Sequence, residues 1–339
     1  MTTEIAIPSL LGVAPVCVFL WSLLYVDSYK LVRLSRILQL LAAGSVAAAL
    51  SYLINKRILD VALVERHMLT RFAAPAVEEL LKIIPVLLLM RTKRIGFVID
   101  VAICGFAVGA GFAVVENVYY LSAVSGRGVP FWIVRGFGTA VMHGGTTAIA
   151  AMVTRMLMQR RDSSSVALAA PGLFLAFTIH ALFNQFLLSP LVSAVAVIVV
   201  LPPLLVMVFA LSERHLQAWL GTGFDLDAGL LKAIRSGDFG SSRPGRYLQS
   251  LREHFDGPVV ADMLCYLRLY SELSLRAKGI LMLRESGLPV PRDAETSSKI
   301  AELQYLRSVI GPTGQLAIAP LLHRSEQDLW QLELLDTSP

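Results

Sequence analysis

A series of seven apolar runs constrains the fold most strongly, because each is long enough to cross a lipid bilayer. They cover residues 5–26, 37–55, 73–90, 97–122, 131–154, 166–188 and 191–211. Hydrophobic residues make up 55% of the chain and charged residues only 16%, a balance too apolar for an ordinary soluble protein. Since a helix satisfies its backbone hydrogen bonds internally, the sequence predicts an all-α, polytopic bundle of about seven spanning helices.

The end of the chain has a different character. Residues 213–339 are less apolar and are interrupted by Gly and Pro turn signals. Between these turns apolar residues recur at helical spacing, as Met263, Leu267 and Tyr270 do. The sequence therefore predicts two domains, a transmembrane domain over 1–212 and a soluble, mainly helical accessory domain over 213–339. Nothing in the second domain indicates its chemistry, and its protein partner is unknown.

Basic residues beside the apolar runs predict the orientation in the membrane. With the N-terminus outside, the inner loops carry nine Lys and Arg residues against five in the outer segments, in agreement with the positive-inside rule. The inner residues are Lys30, Arg33, Arg36, Arg91, Lys93, Arg94, Arg155, Arg160 and Arg161. The second domain is then cytoplasmic, and the basic excess belongs to membrane-flanking loops rather than to nucleic-acid binding. The stretch 56–71 mixes charged and apolar residues and is predicted as a separate interfacial helix.

Three ionisable side chains interrupt the third apolar run. Glu78, Glu79 and Lys82 lie within five residues of one another. A carboxylate facing lipid costs at least a few kcal/mol, so such groups normally face a protein interior or a water-filled cavity. At helical spacing Lys82 can pair with either glutamate. Taken alone, the two glutamates also fit a helix N-terminus favoured by the helix dipole.

Three further runs carry polar side chains at the spacing of a single helical face. The fourth run has Gly105, Gly109, Phe112, Glu116 and Tyr120, the fifth has Arg135, Thr139 and His143, and the sixth has His180 and Asn184. The glycine pair is a helix-packing motif, and a single buried histidine more often serves helix packing than chemistry. In the predicted orientation, however, the polar groups of all four runs lie in the outer half of the membrane. Agreement in depth among four helices indicates one shared polar site.

In this order the motifs resemble the PrsW-type intramembrane proteases, distant relatives of the type II CAAX prenyl proteases. The resemblance is carried by Glu78-Glu79-x-x-Lys82, Phe112-x-x-x-Glu116-x-x-x-Tyr120, His143 and His180-x-x-x-Asn184. It covers the membrane core and does not extend to residues 213–339. It implies hydrolysis of membrane-anchored protein substrates near the extracytoplasmic face of a bacterial cell membrane. Site-1 cleavage of an anti-sigma factor is the candidate reaction.

The resemblance also implies roles for the site residues. The catalytic candidates are Glu78, Glu79, Glu116, His143, His180 and Asn184, supported by Lys82, Tyr120 and Arg135. Glu78 would be the general base that activates water, with Glu79 supporting it and paired to the lysine. His180 and Asn184 would stabilise the oxyanion, and the candidates on the fourth and fifth runs would bind the water or orient the base.

Alternatives remain at the level of sequence. His143, His180 and Glu116 are also a two-His-one-Glu ligand set for zinc, with Glu78 or Glu79 as base. No His-Glu-x-x-His helix supports this set, so the version without a metal is preferred. A non-catalytic membrane scaffold of the same fold is a second class, although a decayed site would not be expected to keep all these polar groups. A proton-coupled transporter is a third class, without the repeats such proteins commonly show.

Overall fold

The computed structural model describes residues 2–27, 29, 32–61, 63–92, 95, 97–124, 127–161, 163, 165–185, 187–290, 295–322 and 335. All regular structure in these ranges is helical, without a strand, and the predicted all-α fold is confirmed. The chain divides into two compact units, Met1–Glu213 and Arg214–Pro339. Lys30, Lys93 and Arg94, which entered the orientation argument, lie outside the described residues.

The helices of the first unit follow the apolar runs. They are α1 (Thr2–Val26), α2 (Leu34–Asp60), α3 (Arg66–Met68), α4 (Ala74–Arg91), α5 (Val98–Ala123), α6 (Val129–Ile133), α7 (Val141–Arg161), α8 (Ala170–Asn184) and the beginning of α9 (Pro190–Ser236). A π-helical turn over Leu69–Ala73 joins α3 to α4, and a second over Val134–Ala140 joins α6 to α7. A 3₁₀ turn over Val166–Ala169 leads into α8.

Five helices in the described ranges are long and apolar enough to cross a membrane, namely α1, α2, α5, α8 with its leading turn, and α9. Helix α4 is not among them because its 18 residues include Glu78, Glu79 and Lys82. The predicted interfacial helix over 56–71 is wrong as a separate element. Its first half is the end of α2, and its second half is α3 with the turn into α4, since the helical pattern simply continues from both flanking runs.

Helix α5 forms the centre of the first unit and packs against α1, α2, α4 and α7. Two glycines explain how closely α7 approaches it. A Cβ atom on Gly109 would lie 2.2 Å from the His143 backbone oxygen, and one on Gly105 would lie 2.8 Å from the Thr147 backbone oxygen. Because neither contact is sterically tolerable, only glycine at these positions permits the approach. The packing motif thereby places His143 directly beside α5.

The second unit contains the end of α9 together with α10 (Arg243–Ser250), α11 (Gly257–Glu285) and α12 (Glu295–Ile318). The mainly helical structure predicted for this part of the chain is confirmed. Met263, Leu267, Leu273 and Leu281 of α11 are fully buried in the core of this unit. Helix α12 is kinked at Gly311, whose φ of 69° lies in the left-handed region that glycine adopts without strain.

Candidate active site

A buried ion pair within α4 forms the base of the site. Lys82 Nζ lies 2.6 Å from Glu79 Oε1, and the two side chains are only 0% and 2% exposed. The same carboxylate oxygen accepts a hydrogen bond from Thr146 Oγ1 on α7 at 3.1 Å and lies 2.8 Å from His180 Nδ1 on α8. Burying a carboxylate is unfavourable unless it is paired and hydrogen-bonded. Glu79 meets this condition and connects three helices through one atom.

His143 lies between this ion pair and the second acidic group of the site. Its Nδ1 is 3.2 Å from Lys82 Nζ, and its Nε2 is 3.0 Å from Glu116 Oε2. An ammonium group can only donate hydrogen bonds, so Nδ1 acts as the acceptor. The neutral ring therefore carries its hydrogen on Nε2 and donates it to Glu116. The ring is almost fully buried and packs against Phe112, with 5.0 Å between the ring centroids.

His180 is the opposite tautomer, with its hydrogen on Nδ1. Its Nδ1 faces the Glu79 carboxylate, which only accepts hydrogen bonds, so in the neutral ring this nitrogen carries the hydrogen. The lone pair is then on Nε2, which lies 3.8 Å from Glu78 Oε2. The predicted role of oxyanion donor would need a hydrogen on that nitrogen. In this tautomer His180 instead presents an acceptor beside Glu78.

Glu116 is held by an arginine from the π-helical turn before α7. Arg135 Nη2 lies 3.0 Å from Glu116 Oε2, and Arg135 Nε donates to Asn117 Oδ1 at 2.8 Å. Asn117 in turn donates to the Gly12 carbonyl of α1 at 2.6 Å. The guanidinium also stacks on Tyr120, 4.0 Å from the ring centroid. The charge of Glu116 is thus compensated from one side by Arg135, and α1 holds this arrangement in place.

A cavity of about 710 Å³ opens directly onto these groups. Seven of the nine predicted site residues line it, namely Glu78, Glu116, Tyr120, Arg135, His143, His180 and Asn184. Glu79 and Lys82 lie behind this wall. Most of the remaining lining is apolar, with Phe131, Phe183 and Leu191 among its members. A largely apolar cavity with a few convergent polar groups is the usual form of a ligand or substrate site.

Asn184 differs from the other predicted residues. Its Nδ2 donates to the Thr70 backbone carbonyl at 3.1 Å, so this hydrogen bond connects α8 to the turn before α4 instead of reaching the carboxylates. Two contributing residues were missed from sequence. Thr146 follows His143 by three residues and so shares its helix face, whereas Asn117 turns away from its neighbour Glu116 toward α1.

Three donors are arranged so that they could hold a metal ion. Ligand atoms of Glu78, His143 and His180 all lie within 4.8 Å of one another. Two imidazoles and a carboxylate are a ligand set of catalytic zinc, and a carboxylate behind a histidine, as Glu79 is behind His180, commonly orients a metal ligand. The predicted zinc ligands were His143, His180 and Glu116. In the structure the carboxylate that lies near both histidines is that of Glu78.

The donor types therefore fit a metal, but its binding would change both hydrogen bonds of His143. A metal on His143 Nε2 would replace the hydrogen that this nitrogen donates to Glu116, and the neutral ring would then carry its hydrogen on Nδ1. Because Nδ1 lies 3.2 Å from the Lys82 ammonium, two donors would then face each other. Lys82 would have to withdraw from His143 while keeping its contact with Glu79.

A helical unit with several candidate membrane spans, whose carboxylates and imidazoles meet at a cavity, is typical of an integral membrane protein with a candidate active site. The model of the PrsW family of intramembrane metalloproteases matches residues 30–211, more than half of the chain. The chain belongs to this family, which confirms the resemblance and identifies its kind of activity as that of an intramembrane peptidase. The match includes every predicted site residue but no residue of α1 and no part of the second unit. Comparisons with curated proteins and with solved structures found no match.

Proposed function

We propose that the protein is an intramembrane endopeptidase that cleaves membrane-anchored protein substrates with water activated by Glu78. The main support is the position of Glu78 on the cavity wall, where its Oε2 lies 3.8 Å from His180 Nε2. Family membership supports peptide-bond hydrolysis. An anti-sigma factor cleaved near the extracytoplasmic face is the candidate substrate.

The two acceptors suggest how water is prepared for attack. A water molecule between Glu78 and His180 would donate one hydrogen to each, which leaves an oxygen lone pair directed into the cavity. As this oxygen bonds to the substrate carbonyl carbon, Glu78 takes the released proton. The tetrahedral intermediate then collapses, the C–N bond breaks, and the proton passes to the leaving nitrogen. The products are a carboxylic acid and an amine.

Other groups on the cavity wall would stabilise the oxyanion. Arg135 and Tyr120 both line the cavity and carry hydrogen-bond donors. The positive charge of Arg135 makes it the stronger of the two for a developing negative charge. Asn184 would contribute only after releasing the Thr70 carbonyl. We therefore assign the main oxyanion role to Arg135 and not to His180.

The family is described as one of metalloproteases, and with zinc as the metal the same residues would form a metal site. Glu78, His143 and His180 would hold the ion, which when bound supplies a polarised water. Glu116 would then be the remaining carboxylate on the cavity wall, and the proton of the attacking water would pass to it. Arg135, which lies 3.0 Å from Glu116, would keep that carboxylate in place.

The test is cleavage by purified protein in phosphatidylcholine vesicles. The probes are synthetic single-span peptides with a randomised segment on the outer side of the span. We expect Glu78→Gln and His180→Gln to lower the cleavage rate at least about a hundredfold. Exposed Glu302 provides the control, because Glu302→Gln should keep the wild-type rate. If both site variants cleave at the wild-type rate, the proposal is wrong; a wild-type protein that binds peptides without cleaving them would favour the scaffold alternative.

We propose in addition that the N-terminus is outside and that residues 213–339 form a cytoplasmic accessory domain. Cys265 on α11 is an exposed thiol of that domain and serves as the reporter in a Cys17→Ser background. A membrane-impermeant maleimide should label it only after the cells are permeabilised. Labelling in intact cells would place the domain outside.

A further inference from the structure

A second cavity, of about 420 Å³, lies between α2 and α5 in the first unit. It shares Glu78, Glu116 and Tyr120 with the 710 Å³ cavity. These three side chains therefore stand between two spaces, and the two carboxylates are accessible from both. The mechanism above uses only the larger space.

The walls of the second cavity leave room for a side chain between small and aromatic residues. On α2 the space is left open by small residues, among them Ala48 and Ala49. Two aromatic rings, Tyr52 and Tyr119, pack 5.3 Å apart at its wall. On the same helix the Ser51 hydroxyl already donates to the Ala48 backbone carbonyl at 2.9 Å.

One polar atom of this wall lacks a partner. Asn55 Oδ1 is buried and has no hydrogen bond within the described part of the chain. An unsatisfied buried acceptor is unfavourable, and a donor from a bound molecule would remove this penalty. A polypeptide can supply such a donor from its backbone while it places an apolar side chain among the tyrosines.

We propose that this second cavity is a substrate subsite that takes an apolar or aromatic side chain next to the scissile bond, with a substrate N–H donating to Asn55. The proposal rests on the proposed function. Its geometric reason is that successive side chains of an extended chain point to opposite sides. When the scissile bond lies against Glu78 and Glu116, one flanking side chain enters the larger cavity and the other enters the space between α2 and α5.

Narrowing the second cavity tests this subsite. Ala49 lines it and is exposed, so Ala49→Leu fills space without disturbing the core. The control is Ala42→Leu, seven residues earlier on the same face of α2, also exposed and outside the cavity lining. The peptides vary at one of the two positions that flank the scissile bond. When this position carries a large side chain, we expect Ala49→Leu to lower kcat/KM at least about tenfold. Peptides with Gly or Ala at that position, and all peptides with Ala42→Leu, should keep the wild-type values.

A uniform loss for all peptides would overturn the subsite and would favour a water path or a structural role. A cross-linking experiment separates this failure from failure of the proposed function. In a Glu78→Gln background, Ala49→Cys should form a disulfide with peptides that carry one cysteine beside the candidate bond, and Ala42→Cys should not. Cross-linking no stronger than with Ala42→Cys rejects the subsite, whereas absence of cleavage by the wild-type protein rejects the proposed function.

Discussion

Both units of this protein bury a lysine against a carboxylate at the same distance. In the membrane unit Lys82 Nζ lies 2.6 Å from Glu79, and in the second unit Lys278 Nζ lies 2.6 Å from Asp227. The lysine side chains are 0% and 3% exposed. In each pair the carboxylate also accepts a hydrogen bond from a hydroxyl group on another helix. The two pairs are similar in distance and in the burial of the lysine, although Lys82 pairs within one helix whereas Lys278 on α11 reaches Asp227 on α9, a carboxylate that is 13% exposed.

Their surroundings differ. Around Lys278 the structure places the Trp219 ring, at 5.2 Å, and a cavity of about 280 Å³ whose described lining contains no histidine and no acid besides Asp227. Around Glu79 the site adds Glu78, Glu116 and two histidines beside a cavity of about 710 Å³. The comparison shows that a buried ion pair by itself stabilises helix packing. An active site needs, in addition, acidic groups and histidines that the ion pair holds at the wall of a cavity.

Removing the lysine charge should produce the largest effect, and it should be larger in the membrane unit. Lys82→Met leaves the buried Glu79 carboxylate without its partner, which costs about 3–5 kcal/mol of unfolding free energy. Lys278→Met should cost less, because the Asp227 side chain is 13% exposed. Denaturant titration in detergent micelles measures this loss. The double variant Glu79→Gln/Lys82→Met should recover much of the stability without recovering activity. A loss below about 1 kcal/mol in either single variant would show that the pair is not buried as described.

Neutralising the paired carboxylate should slow cleavage in the membrane unit but not in the second unit. Glu79→Gln removes the charge that orients His180 and pairs with Lys82, and we expect peptide cleavage to fall at least about a hundredfold. The matched change Asp227→Asn should alter cleavage by no more than about twofold, since its surroundings contain no further catalytic candidates. Initial rates in vesicles, compared at equal amounts of folded protein, measure both. Equal losses in the two variants would contradict the assignment of catalysis to the membrane unit.

Zinc binding offers a readout independent of cleavage. Substitution of a group that orients a metal ligand typically weakens metal affinity about 10–100-fold. We therefore expect Glu79→Gln to weaken zinc binding to the purified protein by this factor, while Asp227→Asn leaves it unchanged. Competition with a chelating dye measures the affinity. If the active wild-type protein binds no zinc, Glu78 is the general base and the metal version is excluded.

The hydroxyl groups should give the smallest effects. Thr146→Val and Ser274→Ala each remove one donor to a lysine-paired carboxylate, which costs about 1 kcal/mol of stability. Only Thr146→Val should also slow cleavage, by about tenfold, because the carboxylate it holds positions His180. Thermal unfolding and cleavage rates measured on the same preparations test the pair. An unchanged rate in Thr146→Val would show that Thr146 serves packing alone.

Helical spacing predicted much of this arrangement. The Glu78-Glu79-x-x-Lys82 spacing predicted an ion pair within one helix. In the structure Lys82 forms this pair with Glu79. The glycine pair of α5 predicted a close neighbour, which is α7. Both predictions depend on positions within a single helix, and residue spacing determines those.

The remaining details depend on how helices are rotated about their axes, which spacing does not determine. Helix rotation places Glu78, rather than Glu116, close enough to both histidines to be a candidate third ligand, and it leaves Asn184 hydrogen-bonded to Thr70. The histidine tautomers depend on which donor faces each ring nitrogen. Those contacts come from other helices, so no motif within one helix specifies them.

The most direct test of hydrolysis in the membrane is a map of new protein N-termini in membranes from cells that produce either the wild-type protein or Glu78→Gln. The account predicts one or more termini in or beside the membrane span of a substrate, near the extracytoplasmic face, that are present with the wild-type protein and with Asp227→Asn but absent with Glu78→Gln. Identical sets of termini with the wild-type protein and Glu78→Gln would contradict it.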